Sequence, residues 1–380
     1  MLGLYVHVPF CAAICNYCNF NRGLFDQELK TRYVEALLQE IRGATRGRAT
    51  SMTTAVAADT IYFGGGTPSL LEPHEIRSVI DACRAAFIMP DEIEITIEAN
   101  PETVTFEKLA AFRQAGVNRL SFGVQSFRDD ELKRLSRLHD AQRATHAYAW
   151  GRQAGFENVS LDLMLWLPGQ KLQDSMESVE TLIDLAPDHA SLYLLELYPN
   201  APLRELMKES GEKLASDDEA ASMYEAAMGR LERAGYQQYE ISNVARPGRQ
   251  SRHNLKYWSD GEWLGFGCGA HSTRAGVRWR NVSATEDYVR RIASGNDVVS
   301  ERRVLTPASM VEEALFMGLR LTDGVDLAAI DARYGVDAWE RYGAALEPHM
   351  AAGLVRREGS RLQLTRHGML LSHEVMAVFV

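Results

Sequence analysis

The sequence predicts an α/β protein. The expected fold is an incomplete parallel (β/α), TIM-like barrel over about residues 1–290, followed by a small helical, winged-helix-like unit over 300–380. Three observations predict it. Short β-rich runs alternate with stretches of helical period. The tripeptides Ala115-Gly116-Val117, Ala154-Gly155-Phe156 and Ala234-Gly235-Tyr236 each close a helical stretch and open a β-rich one. Their glycines lie 39 and then 80 residues apart, one and two βα units.

Taken in order, Gly3–Val8 reads as the first strand. Asp59–Phe63 is a second, running into Gly64-Gly65-Gly66. Between Pro73 and Phe87, residues Ile76, Val79, Ile80, Cys83 and Phe87 form one helical stripe. Ile93, Ile95 and Ile97 alternate with Glu94, Thr96 and Glu98, which is strand periodicity. Phe106, Leu109 and Ala110 lead a helix into Gly116, and a further unit begins near Pro187. In such barrels the site lies at the C-terminal ends of the strands. Gly64–Thr67, Glu98–Asn100, Gln125-Ser126 and Asp162 are expected at or near those ends. Composition breaks around Ser300–Pro307. Beyond it Val311–Leu321 reads as a helix, Leu354–Arg357 and Arg361–Leu364 as a hairpin, and Thr365 as a cap for a last helix.

Composition excludes several function classes. A net charge of −10 argues against general nucleic-acid binding. Residues 301–380 hold nine Arg and no Lys against eleven acidic residues, so a DNA-binding use of the winged unit is not expected. No run approaches the roughly 18 apolar residues of a membrane span, and Met1–Phe10 lacks the basic start of an export signal. With five cysteines, three of them within eight residues, reduced thiols serving a metal fit better than a disulfide scaffold. The expected location is the cytoplasm.

The strongest signal is Cys11-Ala-Ala-Ile-Cys15-Asn-Tyr-Cys18. Three thiolates so spaced can ligate three irons of a [4Fe–4S] cubane and leave the fourth open to an outside ligand. A zinc site completed by His7 or another side chain is the alternative, but structural zinc usually takes paired C-x-x-C arms and no second pair exists. Cys83 and Cys268 read as buried small hydrophobes.

Tyr5-Val-His-Val-Pro-Phe-Cys11 through Phe20 resembles the radical S-adenosylmethionine superfamily, and within it the oxygen-independent coproporphyrinogen III oxidase-like family. The resemblance implies that S-adenosylmethionine chelates the open iron. Gly64-Gly65-Gly66-Thr67-Pro68 is similar to the family's GGGTP motif. Carried over by position, the resemblance implies cofactor contacts at Tyr5, Tyr17, Gly65, Gly66, Thr67, Glu98, Gln125, Arg137 and Asp162.

Two branches of that family compete: the oxidase, and a haem-chaperone branch that delivers haem to respiratory proteins. The oxidase pattern has a further cysteine where this chain has Phe20, and a longer arm ahead of the cluster motif. His253-Asn-Leu-Lys-Tyr257-Trp258 resembles the chaperone branch's haem signature. An imidazole suits haem iron, Tyr257 and Trp258 offer flat faces, and Arg246, Arg249, Arg252 and Lys256 suit propionates. The bland reading of that run is a solvated loop with a packed aromatic pair. His271, in a glycine-rich turn, is a second candidate ligand. The expectation is a haem chaperone with haem as cargo and respiratory haem proteins as recipients. A flavodoxin-like reductant would serve the cluster, and a homodimer is left open. The alternative is a radical enzyme acting on a tetrapyrrole, so whether the chain is an enzyme is not decided by sequence.

Overall fold

The computed structural model describes residues 1–44 and 56–380. Six strands follow one another in sheet order and run parallel. They are β1 (Leu2–Val8), β2 (Ala58–Gly65), β3 (Glu94–Ala99), β4 (Arg119–Gln125), β5 (Val159–Leu165) and β6 (His189–Leu194). Helices cross back between them: α1 (Gln27–Gly43), α2 (Pro73–Ala86), α3 (Phe106–Ala115), a short α4 (Asp129–Arg134), α5 (Ala141–Gln153) and α6 (Leu172–Leu185). Two more, α7 (Pro202–Ser210) and α8 (Asp217–Arg233), precede the antiparallel pair β7 (Gln237–Glu240) and β8 (Asn243–Ala245), which extends the sheet beyond β6. On the other side β9 (Trp263–Phe266) lies parallel to β1 and leads out to β10 (His271–Arg274), β11 (Val277–Asn281) and β12 (Val299–Val304). Among the described residues this makes one twelve-stranded sheet, a partial barrel with loose ends.

Local chemistry sets the element ends. Asp26 accepts from Leu29 N at the start of α1, and Thr105 from Lys108 N at the start of α3. Gly116 closes α3 at φ 111°, and Gly155 and Gly235 follow their helices at 86° and 89°, a region open to glycine without strain.

Strand β3 shows what the alternation means. Ile93, Ile95 and Ile97 pack under the helices, and Glu94 and Thr96 are buried as well, on the inner face of the barrel. Thr60, Arg119, Ser121, Ser160, His189 and Ser191 are likewise buried. A closed (β/α) barrel fills its inside with branched apolar residues; this one lines it with hydroxyls, acids and a guanidinium.

A second core gathers Val311, Leu315, Leu319, Leu346, Leu362 and Phe379. Here a helix from Pro307 to Gly318, capped by Thr306, packs beside a small sheet of β13 (Val325–Asp326), β14 (Val355–Glu358) and β15 (Arg361–Leu364). Thr365 accepts from Gly368 N at the start of a last short helix. Residues 300–304 differ from expectation. They belong to β12, which pairs with β11, so the large sheet runs on past residue 300.

Candidate metal and cofactor site

The loop after β1 leaves the C-terminal end of the barrel and carries the three cysteines. It is closed on itself: Phe10–Cys11 pairs with Gly23–Leu24, Gly23 N donates to Pro9 O at 2.7 Å and Phe25 N to Cys11 O at 2.9 Å. Cys11 is buried, and Cys15 and Cys18 are half-buried. Burial pushes the Cys11 and Cys18 thiols up, against hydrogen bonds from Thr67 and from the Phe20 backbone. Ligation by iron is the natural way to hold such buried thiolates ionised.

The glycine motif at the end of β2 brings the backbone against this loop. Gly66 N donates to Val8 O at 2.8 Å and Thr67 N to Phe10 O at 2.7 Å. A Cβ on Gly66 would lie 2.7 Å from Phe10 O and 3.1 Å from Cys11 Sγ, and one on Gly65 would lie 2.6 Å from the His7 ring. Only glycine permits this approach. Thr67 turns its hydroxyl to Cys11 Sγ at 3.6 Å.

Arg137 reaches across the mouth. Its Nη1 donates to Cys15 Sγ at 3.3 Å, and its Nη2 to Asn100 Oδ1 at 2.7 Å and Gly123 O at 2.8 Å. Its Nε is buried without a partner. Burial works against its charge, and Tyr17, Cys15 and Glu102 outweigh that. Tyr17 packs beside Leu135, Met164 and Leu203. Gln125 ends β4 at φ 70°, folding its side chain back over Gly123.

Glu98 stands below the glycines. It accepts from the Tyr62 hydroxyl at 2.7 Å and from Gly65 N at 3.2 Å. Burial lifts its carboxyl from 4.5 to about 7, offset in part by the Tyr62 bond. Asp162 is raised to about 6, again mainly by burial. It lies in the middle of β5 rather than at its end, and accepts from Ser121 at 3.3 Å and Ser160 at 3.4 Å. Tyr5 bonds His7 Nδ1 at 3.0 Å, and His7 Nε2 meets Asn21 O at 2.8 Å.

These residues fit a cluster with a cationic ligand. Three thiols share one loop, a guanidinium with a spare N–H and a hydroxyl face them, and two carboxyls poised near neutrality lie beneath. Among the described residues no three His, Cys, Asp or Glu side chains converge on one point as a single ion asks. A cubane instead takes one thiolate at each of three irons.

The His253 motif lies at the other end of the barrel. It forms a short helix, α9 (Arg252–Trp258), capped by Ser251. His253 N and Arg252 N donate to the Glu94 carboxylate at 3.0 and 3.1 Å. The imidazole is buried, with Nδ1 bonded to Thr60 Oγ1 and Nε2 to the Tyr257 hydroxyl, both at 2.8 Å. Burial, then Lys256, lowers it to about 3, so it is neutral. A Cβ on Gly3 would lie 3.0 Å from it. Sequence reading expected a ligand open to haem; here both ring nitrogens are engaged under the N-terminal ends of β1, β2 and β3.

Three of the four basic residues are engaged too. Lys256 and Arg252 pair with Asp59 at 2.7 and 3.3 Å, and Arg246 covers the Tyr236 ring at 5.0 Å. Tyr257 packs edge-on to Trp263 at 4.8 Å, and Arg320 covers Trp258 at 4.4 Å. His271 is exposed at the start of β10, and Cys83 and Cys268 are buried.

Tyr62 and Arg119 were not expected at the site from sequence; His7 was expected only as a zinc ligand and Asn100 only at a strand end. Arg119 is 2% exposed with a partnerless Nε, and its charge reaches Glu98, Asp162 and Tyr62. Its signal was parity: it shares a strand face with Ser121, Gly123 and Gln125.

Comparison with known proteins places the chain. The radical SAM superfamily model matches residues 5–182, and the HemN C-terminal domain model matches 305–371. Heme chaperone HemW of Bacillus subtilis is 36% identical over 381 residues, covering 100% of this chain and 99% of that protein. The chain belongs to the HemW family of radical S-adenosylmethionine proteins. Heme chaperone HemW of Escherichia coli is 34% identical, covering 100% of this chain and 98% of its own length. A Bos taurus relative, radical S-adenosyl methionine domain-containing protein 1, mitochondrial, is also 34% identical and covers 99% of this chain and 85% of its own. The HemW-family fold is shared with coproporphyrinogen III oxidase (HemN) from Escherichia coli at TM-score 0.86 and 24% identity, over 100% of this chain and 89% of that one. No helix among the described residues is long and apolar enough to cross a membrane.

Proposed function

We propose that this HemW-family protein is a haem chaperone, binding haem and passing it to respiratory haem proteins while carrying an S-adenosylmethionine-binding [4Fe–4S] cluster. The observation that supports this most is the full-length match, at 36% and 34% identity, to proteins named heme chaperones. Phe20, 68% exposed, where the oxidase pattern has a cysteine, points the same way.

In this reading Cys11, Cys15 and Cys18 hold three irons and Arg137 offsets their charge. When bound, the cluster supplies an electron-rich open iron for the amino-acid end of S-adenosylmethionine. Gly65, Gly66 and Thr67 shape the wall beside it. Glu98 presents a carboxyl whose proton a nearby cation draws off, and Tyr5, Tyr17, Gln125 and Asp162 line the remaining sides. His253, Tyr257 and Trp258 form the haem contact; ligation by His253 requires it to leave Thr60 and Tyr257. A flavodoxin-like reductant and a homodimer complete the proposal, with a barrel domain that runs on through β12 and a winged-helix-like domain after it.

A second reading, a radical enzyme acting on a tetrapyrrole, draws on the complete set of candidate cofactor residues around Glu98 and Arg137. One experiment separates the two: anaerobic haem titration of the cluster-reconstituted chain, followed in the Soret region, beside a coproporphyrinogen decarboxylation assay. Saturable haem binding without decarboxylation is expected. Decarboxylation without haem binding would overturn the chaperone reading.

A further inference from the structure

One column of side chains joins the floor of the barrel to its mouth. The His253 ring lies against Tyr62 with centroids 5.1 Å apart and planes 25° apart, and 6.5 Å from the Tyr5 ring. Tyr62 carries its hydroxyl to Glu98 Oε1 at 2.7 Å, and Glu98 Oε2 accepts from Gly65 N at 3.2 Å. Tyr5 bonds His7 at 3.0 Å, and His7 meets Asn21 O of the cysteine loop at 2.8 Å. Two tyrosine pillars therefore stand against one imidazole. One ends at the carboxyl beside the glycine motif, the other in the loop that carries the cysteines. Thr60, Tyr257 and the close approach of Gly3 fix the imidazole. Packing this dense transmits a displacement instead of absorbing it.

We propose that His253 is a positioning residue for the S-adenosylmethionine site, setting Glu98 through Tyr62 and the cysteine loop through Tyr5 and His7. The inference rests on the cofactor reading above and deepens it. It also gives the two ligands a sign. A metalloporphyrin iron that takes His253 must pull the ring from Thr60, from Tyr257 and from beside Tyr62, which loosens Glu98. Coupling between two binding sites is reciprocal, so S-adenosylmethionine at the mouth weakens haem at the floor by the same factor. Cofactor binding thereby favours release of the cargo.

The test uses the full chain with reconstituted cluster. S-adenosylmethionine binding is measured by calorimetry and by the change in the reduced cluster's EPR signal, for wild type, His253→Ala, His253→Phe and Tyr62→Phe. Iron content and melting temperature are matched controls. His253→Ala and Tyr62→Phe are expected to weaken binding about five- to fiftyfold, and His253→Phe, which restores a ring beside Tyr62, to recover part of the loss. Because the Tyr62 hydrogen bond lowers the Glu98 carboxyl, Tyr62→Phe should also move the pH midpoint of binding upward, which loss of packing alone would not do. Saturating S-adenosylmethionine should weaken haem binding to wild type by a similar factor. Unchanged affinity and midpoint in Tyr62→Phe would overturn the positioning role, whether or not the His253 variants fold. Haem affinity indifferent to S-adenosylmethionine would overturn the coupling. No S-adenosylmethionine binding to wild type would overturn the cofactor reading itself, and this inference with it.

Discussion

Glu98 shows how burial tunes a single residue toward its task. Its carboxyl sits at about 7 instead of 4.5, so it favours folding most below about pH 4.5 and that contribution fades as pH rises through 7. A bound cation reverses the preference by favouring the ionised form. S-adenosylmethionine affinity should therefore rise about tenfold between pH 6 and 8, with proton release near pH 7. Calorimetry in buffers of different ionisation enthalpy checks both, and Glu98→Gln should flatten the profile. The cysteines were legible because they lie within eight residues and the chemistry needs no tertiary knowledge. Arg119 was not, since a charged residue opening a strand reads as a solvent-facing one until the inner face of the barrel proves polar.

At the scale of elements, α9 is held to the barrel by ion pairs. Burial works to raise the Asp59 carboxyl, but Lys256 and Arg252 outweigh it and hold it below the usual range. Its contribution is present above pH 4 and lost as pH falls through the lowered value. Asp59→Asn should destabilise the protein by about 1–2 kcal/mol and raise amide exchange first in Arg252–Trp258. Exchange confined to other elements would show that these pairs do not secure the helix. The helical stripe of α2 was legible because one of its faces is wet. In β3 the alternation gave the element but not its surroundings, because its polar side faces a lined interior rather than water. Nor could spacing tell that α9 plugs the floor of the barrel: the chain returns there from β8, and that crossing is tertiary.

Over the whole molecule, the C-terminal unit is tied to the large sheet by an ion pair whose acidic end is buried. Glu240 is fully buried and meets Arg320 at 3.1 Å, while Ile241 N donates to Arg320 O and Thr322 N to Tyr239 O, both at 3.1 Å. Arg320→Ala leaves an unpaired buried carboxylate and should cost about 3–5 kcal/mol. Burial already raises the Glu240 carboxyl, which Arg320 pulls down. Without the guanidinium the loss should deepen as pH rises, and Glu240→Gln in the same chain should recover part of it. Denaturant titrations at pH 6 and 8 check this.

The same contacts decide how this sheet avoids its own copies. A partial barrel has two free borders, each a row of unpaired amides and carbonyls on which another chain can grow. One border, β12, carries Glu301, Arg302 and Arg303, charges that discourage a stacking neighbour. The other, β7, is instead stitched by Arg320–Thr322, with Glu240 bridged to Leu321. A chain cut just after Val304 would keep the candidate cofactor residues yet lay that second border bare. Its failure would then be aggregation, and an inactive truncation would say nothing about where the chemistry resides.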